Sequence, residues 1–233
     1  MFNSIDEAKG EVVRSVARLC AAAAVTAPKS GGRLFRLGKP LFIETAFVDD
    51  RETLLRLAGW MRRRGRERRQ TLWLRDAALA ERLDGVLFIG LRDWYPPIYD
   101  CGACGFATCA EFMEATRQRR ADSEVFEFKG PQCNLRDIDL GIAVGSAAKA
   151  ASLYSVDTRC QTRIAVAARK LGLIEADIAV ALSMTVTHKN PGFDANIPSA
   201  DFDLPASEPP TETMPVKTPD GRWRHRPDLE TDE

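Results

Sequence analysis

Four of the six cysteines in this chain fall within one stretch of 33 residues. Cys101, Cys104 and Cys109 follow a Cys-x2-Cys-x4-Cys pattern, and Cys133 follows in the sequence Gly-Pro-Gln-Cys. A compact run of three thiolates with a distal fourth can surround a cluster of four irons and four sulfides. The pattern therefore predicts that these four cysteines bind such a cluster and that the protein handles electrons.

Three alternatives use some of the same residues. Structural zinc also binds Cys-x2-Cys, but usually through two paired knuckles, and would give a zinc-stabilised binding module. A thioredoxin-like redox pair needs only the first two cysteines. The plant-type two-iron motif has the reverse order of spacings. Small residues at Gly102, Ala103 and Gly105 let the loop bend closely around an inorganic core, and the spacing favours the four-iron cluster.

The two other cysteines, Cys20 and Cys160, are weaker ligand candidates. Cys20 lies on the apolar face of the first predicted helix and is expected to be a small buried hydrophobe. Cys160 lies at the start of a predicted helix, where buried packing is again the expectation. Either residue is a substitute ligand if Cys133 is not one.

Hydrophobic periodicity predicts helices and strands that alternate along the chain. The predicted helices cover 5–26, 51–64, 75–82, 111–120, 137–153 and 159–171, and the predicted strands cover 41–48, 85–91 and 178–186. This mixture predicts one layered α+β domain over residues 1–190, with the cysteine cluster at 101–133.

The segment 191–233 differs in composition from the rest of the chain. It holds ten acidic and four basic residues and is rich in proline, which predicts an irregular acidic tail. No apolar stretch approaches the roughly 20 residues that span a bilayer, and no signal peptide is visible at the amino terminus. A cytoplasmic protein with reduced cysteines is therefore expected.

A run of six arginines lies between residues 62 and 69. Such a run can contact nucleic acid or an acidic protein, but no aromatic interleaving or nucleic-acid motif accompanies it. A solvated helix end, where positive charge suits the helix dipole, is the favoured interpretation, and no nucleic-acid partner is expected.

Several motifs resemble a prokaryotic family of ferredoxin-domain-containing proteins of unknown function. They are the Cys-Gly-Ala-Cys-Gly-Phe-x-Thr-Cys loop, Gly-Pro-x-Cys, residues 139–146, Ala-Ala-Arg-Lys-Leu-Gly-Leu ending at Leu173, and Glu175-Ala-Asp177. The resemblance extends over about residues 7–190 and implies an iron–sulfur site on Cys101, Cys104, Cys109 and Cys133. The loop also resembles the cluster motif of electron-transport and carbon-monoxide-dehydrogenase-associated proteins, in which the last spacing is shorter.

Residues 23–30 and the predicted helix around 139–150 resemble nitroreductase-like flavoproteins. This resemblance implies a nitroreductase-like layered α+β fold carrying an iron–sulfur loop insertion, a homodimer, and FMN at the dimer interface. The chain lacks the Arg-Ser-x-Arg stretch with which those proteins grip the flavin phosphate and opens with Ser4-Ile-Asp-Glu7 instead. FMN would then need other phosphate donors, such as Lys29, Ser30, Arg33 or Arg163.

The predicted function is that of an iron–sulfur protein that passes single electrons to a flavin or a redox partner protein. An FMN-dependent oxidoreductase fed by the cluster is the second hypothesis, and a zinc-stabilised binding module is the third.

Overall fold

Helices and strands alternate along the part of the chain that the computed structural model describes, residues 4–31, 42–119, 126–193, 216–217 and 223–224. The helices are α1 (Ile5–Thr26), α2 (Arg51–Arg68), α3 (Thr71–Ala80), α4 (Cys109–Arg119), α5 (Asn134–Leu153) and α6 (Thr162–Lys170). The strands are β1 (Ile43–Val48), β2 (Gly85–Leu91), β3 (Asp157–Gln161), β4 (Ile178–Thr185), β5 (Val216–Lys217) and β6 (Trp223–Arg224). None of the helices in these ranges has the length and apolar character needed to cross a membrane.

Strands β1 to β4 form one sheet in the order β1-β2-β4-β3, and every neighbouring pair is antiparallel. β2 and β4 are central, which explains their apolar sequences, because a central strand in a layered domain is covered on both faces. Every residue of β2 is buried. Both central strands are predicted from the sequence, β2 with its observed bounds.

The two faces of the sheet pack against different helices. Leu87 and Leu91 of β2 face α1 and α5, whereas Val86 and Phe88 point to the other side, toward α2, α3 and α6. This alternation follows from the two-residue period of a strand. The layered α+β prediction is therefore confirmed. Most of segment 191–233, the predicted irregular tail, lies outside the described residues; Pro191–Phe193 forms a 3-10 turn and β5 pairs with β6.

Strand β3 is the element that sequence analysis missed. The pattern predicts a helix from 159, but residues 159–161 belong to β3 and the helix starts only at Thr162. The strand reads Asp-Thr-Arg-Cys-Gln, with no apolar alternation, and is an edge strand held by its pairing with β4. Consequently Cys160 is exposed rather than buried, and the expectation of a packing role for it is wrong.

Two helix starts differ from the prediction in a way that matters for the cysteines. Helix α4 starts at Cys109 instead of residue 111, and α5 starts at Asn134 instead of residue 137. Cys109 is thus the first residue of a helix, and Cys133 is the residue that immediately precedes one. The start of a helix, and not a loop alone, therefore fixes the position of each of these two cysteines.

Cys20 lies between α1 and α5 with none of its surface exposed, as the sequence predicts. Burial raises the pKa of its thiol from 9.0 to about 11. Because the unfolded thiol ionises first, its contribution to stability is complete below pH 9 and is lost as the pH rises toward 11.

We expect the wild-type protein to lose about 1 kcal/mol more unfolding free energy than Cys20→Ala between pH 8 and pH 10. Urea titrations of both proteins at the two pH values measure this difference, and the alanine variant cancels the contribution of other titrating groups. Equal losses in the two proteins would show that Cys20 does not resist ionisation.

Candidate metal centre

The four cysteines of the predicted ligand set line one pocket at the end of β2. The pocket has about 330 Å³ of space free of atoms, including space open to solvent. Its wall combines the thiols with prolines, aromatic residues and helix starts: Pro96, Pro97, Tyr99, Asp100, Cys101, Gly102, Cys104, Phe106, Thr108, Cys109, Phe112, Cys133, Asn134 and Leu135. The fold therefore brings Cys133 to a loop that ends 24 residues earlier in the sequence.

The loop that carries the first three cysteines turns by means of left-handed backbone conformations. Gly102 and Gly105 have φ angles of 70° and 86°, which glycine adopts without steric cost. The N–H of Gly105 donates a 2.9 Å hydrogen bond to the carbonyl of Gly102 and closes a turn between Cys101 and Phe106. This turn is the local reason that Cys101 and Cys104 face the same pocket.

Asp100 joins the two ends of the cysteine loop. Its carboxylate accepts a 2.6 Å hydrogen bond from the N–H of Cys109, the first residue of α4. Thr108 caps the same helix by accepting from the N–H of Glu111 at 3.2 Å, and the Glu111 carboxylate accepts from the N–H of Ala107 at 3.2 Å. Carboxylates and hydroxyls satisfy the exposed donors of a helix start, so these contacts fix the position of Cys109.

Cys133 is the N-cap residue of α5 and is buried. The side-chain amide of Asn134 donates a 2.7 Å hydrogen bond to the carbonyl of Ala103 and so ties the start of α5 to the cysteine loop. Burial raises the pKa of the Cys133 thiol, and the nearby backbone amides of Arg136 and Leu135 act in the opposite direction.

The pocket has an inner and an outer side. Cys109 and Cys133 are buried, Cys104 is half-buried and Cys101 is exposed. Phe112 forms the inner wall, with its ring 5.8 Å from that of Phe106 and 6.0 Å from that of Trp94. Pro96, Pro97 and Tyr99 line the pocket as well. Solvent reaches the site from the side of Cys101.

Within the described ranges, no three His, Cys, Asp or Glu side chains are grouped so as to hold a metal ion directly. The four thiols lie in the wall of one pocket, and a body made of several irons and sulfides is bound by thiolates from around its outside. Four thiols line the pocket together with the Asp100 carboxylate, and thiolates are the ligands that iron–sulfur clusters prefer.

A buried arginine behind Cys133 was not anticipated from the sequence. Arg136 and Asp139 of α5 are both fully buried and form a 2.7 Å ion pair. The same guanidinium donates to the carbonyls of Tyr95 at 2.7 Å and Ser30 at 2.9 Å. The sequence does contain a signal for such a pair. It is an arginine three residues before an aspartate, on a helix whose other residues are mostly small or apolar.

The predicted flavin contacts do not form one group. The ammonium of Lys29 donates to the carbonyls of Ala24 and Val25 at 3.0 and 2.8 Å and so caps the end of α1. Ser30 donates to Asp139 through its N–H at 2.6 Å and its hydroxyl at 3.0 Å.

Arg163 pairs with Asp76 at 2.8 Å, on the face of the sheet opposite to α1. Arg33 lies outside the described residues. The structure therefore does not bring Arg163 together with Lys29 and Ser30.

Two family models match the chain. Residues 129–195, which include Cys133, match a family described as "Uncharacterized protein containing a ferredoxin domain". Residues 97–124, which include the other three cysteines, match a model described as "Putative Fe-S cluster". These matches identify an iron–sulfur protein.

Solved structures similar to this chain include nitroreductase A from Vibrio parahaemolyticus, with 12% identity and a TM-score of 0.43 over 80% of this chain and 64% of that one. A BluB-like flavoprotein from Clostridium difficile has 11% identity and a TM-score of 0.44 over 76% of this chain and 81% of that one. At such TM-scores the similarity gives no information on cofactor or substrate.

A curated relative supports the family assignment along most of the chain. It is an uncharacterized protein of Archaeoglobus fulgidus, 37% identical over 186 residues, which are 80% of this chain and 93% of the relative. Identity at this level over this length shows common descent and a shared fold. The chain therefore belongs to the family of uncharacterized proteins that contain a ferredoxin domain.

Proposed function

We propose that this protein is a one-electron carrier that holds a four-iron, four-sulfide cluster on Cys101, Cys104, Cys109 and Cys133. The observation that supports the proposal is that all four thiols line one pocket, although Cys133 belongs to a different element from the other three. Each thiolate would bind one iron. The cluster, when bound, supplies a centre that takes up and releases one electron.

The residues around the pocket suit this task. The aromatic inner wall keeps water from the buried thiols, and the start of α5 places the backbone amides of Leu135 and Arg136 near Cys133. Both features change the potential of an iron–sulfur site, because burial and nearby amide dipoles alter the relative stability of the two charge states.

The outer side of the pocket is the proposed point of electron exchange. Cys101 is exposed, and Ile98 and Tyr99 beside it are 52% and 59% exposed. An apolar rim of this kind suits transient contact with a redox protein or a flavin carried by one, because electron-transfer complexes are small and short-lived. A flavin bound by this chain itself is not proposed, because Lys29, Ser30 and Arg163 are separated and engaged with other groups.

Anaerobic purification with iron, sulfide and zinc analysis tests the proposal. We expect about four irons and about four sulfides per chain, and a broad absorption at about 400 nm that dithionite bleaches. A colourless protein that binds one zinc would overturn the proposal in favour of a structural metal. A ratio of about two irons per chain would overturn the four-iron assignment and leave an iron–sulfur protein of another type.

A further inference from the structure

Arg136 lies directly behind the proposed closing ligand. It is three residues after Cys133, in the first turn of α5. Its side chain is entirely buried. A buried cation is costly unless it is paired and hydrogen-bonded, so the contacts of this side chain define what it does in the fold.

The contacts of the guanidinium connect three separate parts of the chain. Nε donates to the carbonyl of Tyr95, the residue before the two prolines that line the pocket, at 2.7 Å. Nη1 donates to the carbonyl of Ser30 at 2.9 Å and to Asp139 at 2.7 Å. The rings of Phe42 and Tyr95 lie 4.4 and 5.6 Å from the guanidinium carbon. One side chain therefore joins the proline wall of the pocket to the helix that begins after Cys133.

The positive charge of this side chain also acts on the pocket. It lies in the first turn of α5, which begins directly after Cys133, and the side chain is fully buried. Asp139 offsets part of the charge, but it is a further helical turn from Cys133 along α5 and is hydrogen-bonded to Ser30. In a poorly solvated interior such a field is weakly screened.

We propose that Arg136 is a positioning residue that holds Cys133 against the Tyr95–Pro97 wall, and that its buried charge raises the reduction potential of the cluster. The inference rests on the proposed function. Reduction adds one electron and so one negative charge to the cluster, while the guanidinium stays protonated and no proton moves. A cation near the site stabilises the more negative state, and its removal lowers the potential.

The decisive variant is the double substitution Arg136→Gln/Asp139→Asn, which removes both charges, leaves no unpaired buried charge and keeps hydrogen-bonding groups. Dithionite titration under anaerobic conditions measures the potential through the bleaching of the cluster. We expect at least a tenfold fall in the ratio of reduced to oxidised protein at a fixed potential, which corresponds to about 59 mV for one electron. Arg136→Lys, which keeps the charge, is expected to retain the wild-type ratio within about threefold.

The matched control is Arg62→Gln/Glu81→Gln, which removes a partly exposed arginine–carboxylate pair on the other face of the sheet. Its ratio should equal that of wild type. An unchanged ratio in the Arg136→Gln/Asp139→Asn protein would overturn the inference. If that protein holds no cluster, Arg136→Met/Asp139→Leu, which also removes both charges, decides: a tenfold fall in the ratio supports the role of the charge, and a wild-type ratio overturns it.

Analysis of the wild-type protein separates this inference from the proposed function. Wild-type protein without iron and sulfide would overturn both. Wild-type protein with a complete cluster, together with variants whose potentials do not change as described, would overturn only the role of Arg136.

Discussion

Cys133→Ala is expected to lose most of its iron and sulfide, from about four of each per chain to fewer than about one. The physical reason is that Cys133 is the only one of the four thiols presented from α5, so no neighbouring cysteine of the loop can replace it without moving a helix start. A smaller loss, in which part of the protein holds a cluster with fewer irons, has the same cause. Iron and sulfide analysis of anaerobically reconstituted protein measures it.

Cys160→Ala serves as the control for this experiment. Cys160 is exposed on the edge strand β3 and is absent from the pocket wall, so its removal should leave iron and sulfide at the wild-type level. Cys133→Ser, which is nearly the same size, separates loss of the thiolate from loss of packing and should lose the cluster as well. A full complement of iron in Cys133→Ala, with loss in Cys160→Ala, would assign the closing ligand to Cys160.

Asp139→Ala should lower the free energy of unfolding by about 3–5 kcal/mol, because it leaves the Arg136 guanidinium buried without its carboxylate. The substitution also removes the acceptor of both hydrogen bonds from Ser30. The loss is a large fraction of the total stability of a domain, which is about 5–15 kcal/mol. Urea titration of the metal-free protein measures it without interference from cluster loss.

Two further variants show whether the unpaired charge of Arg136 causes the loss of stability in Asp139→Ala. Glu81→Ala breaks a pair in which both side chains are partly exposed, and should cost about 1 kcal/mol or less. Arg136→Met/Asp139→Leu removes both buried charges and should recover most of the stability that Asp139→Ala loses. If the double variant is as unstable as Asp139→Ala, the loss comes from packing in α5 and not from the charge.

The sequence predicted the helices and strands whose formation depends on residues close together in the chain. The ends of β2 and of α1 agree with their predicted bounds, because an uninterrupted apolar strand and a regular three-and-four spacing are visible within a few residues. β3 could not be predicted in this way. Its polar residues take an extended form only because β4 offers them hydrogen bonds across the sheet, and that partner lies about 20 residues away in the chain.

The residues of the candidate site likewise differ in whether local sequence information predicts them. Cysteine spacing alone selected Cys101, Cys104, Cys109 and Cys133 as one set, because thiolate ligands are recognisable by residue type. The proposed flavin contacts were also chosen by residue type, and the structure separates Arg163 from Lys29 and Ser30, because lysine, serine and arginine have many other uses in a fold. Asp100 was missed because a carboxylate before a cysteine has no distinctive pattern until its hydrogen bond to Cys109 is seen.

The sequence by itself determined the layered α+β class, the central strands and the group of four cysteines, all of which follow from residue type and short-range spacing. Only the tertiary structure decided that Cys133 meets the loop at one pocket, that Cys101 is the exposed member, and that Arg136 and Asp139 are buried behind the site. These facts depend on how α5 packs against α1 and the sheet. Contacts between residues distant in the chain leave no periodic signal in its sequence.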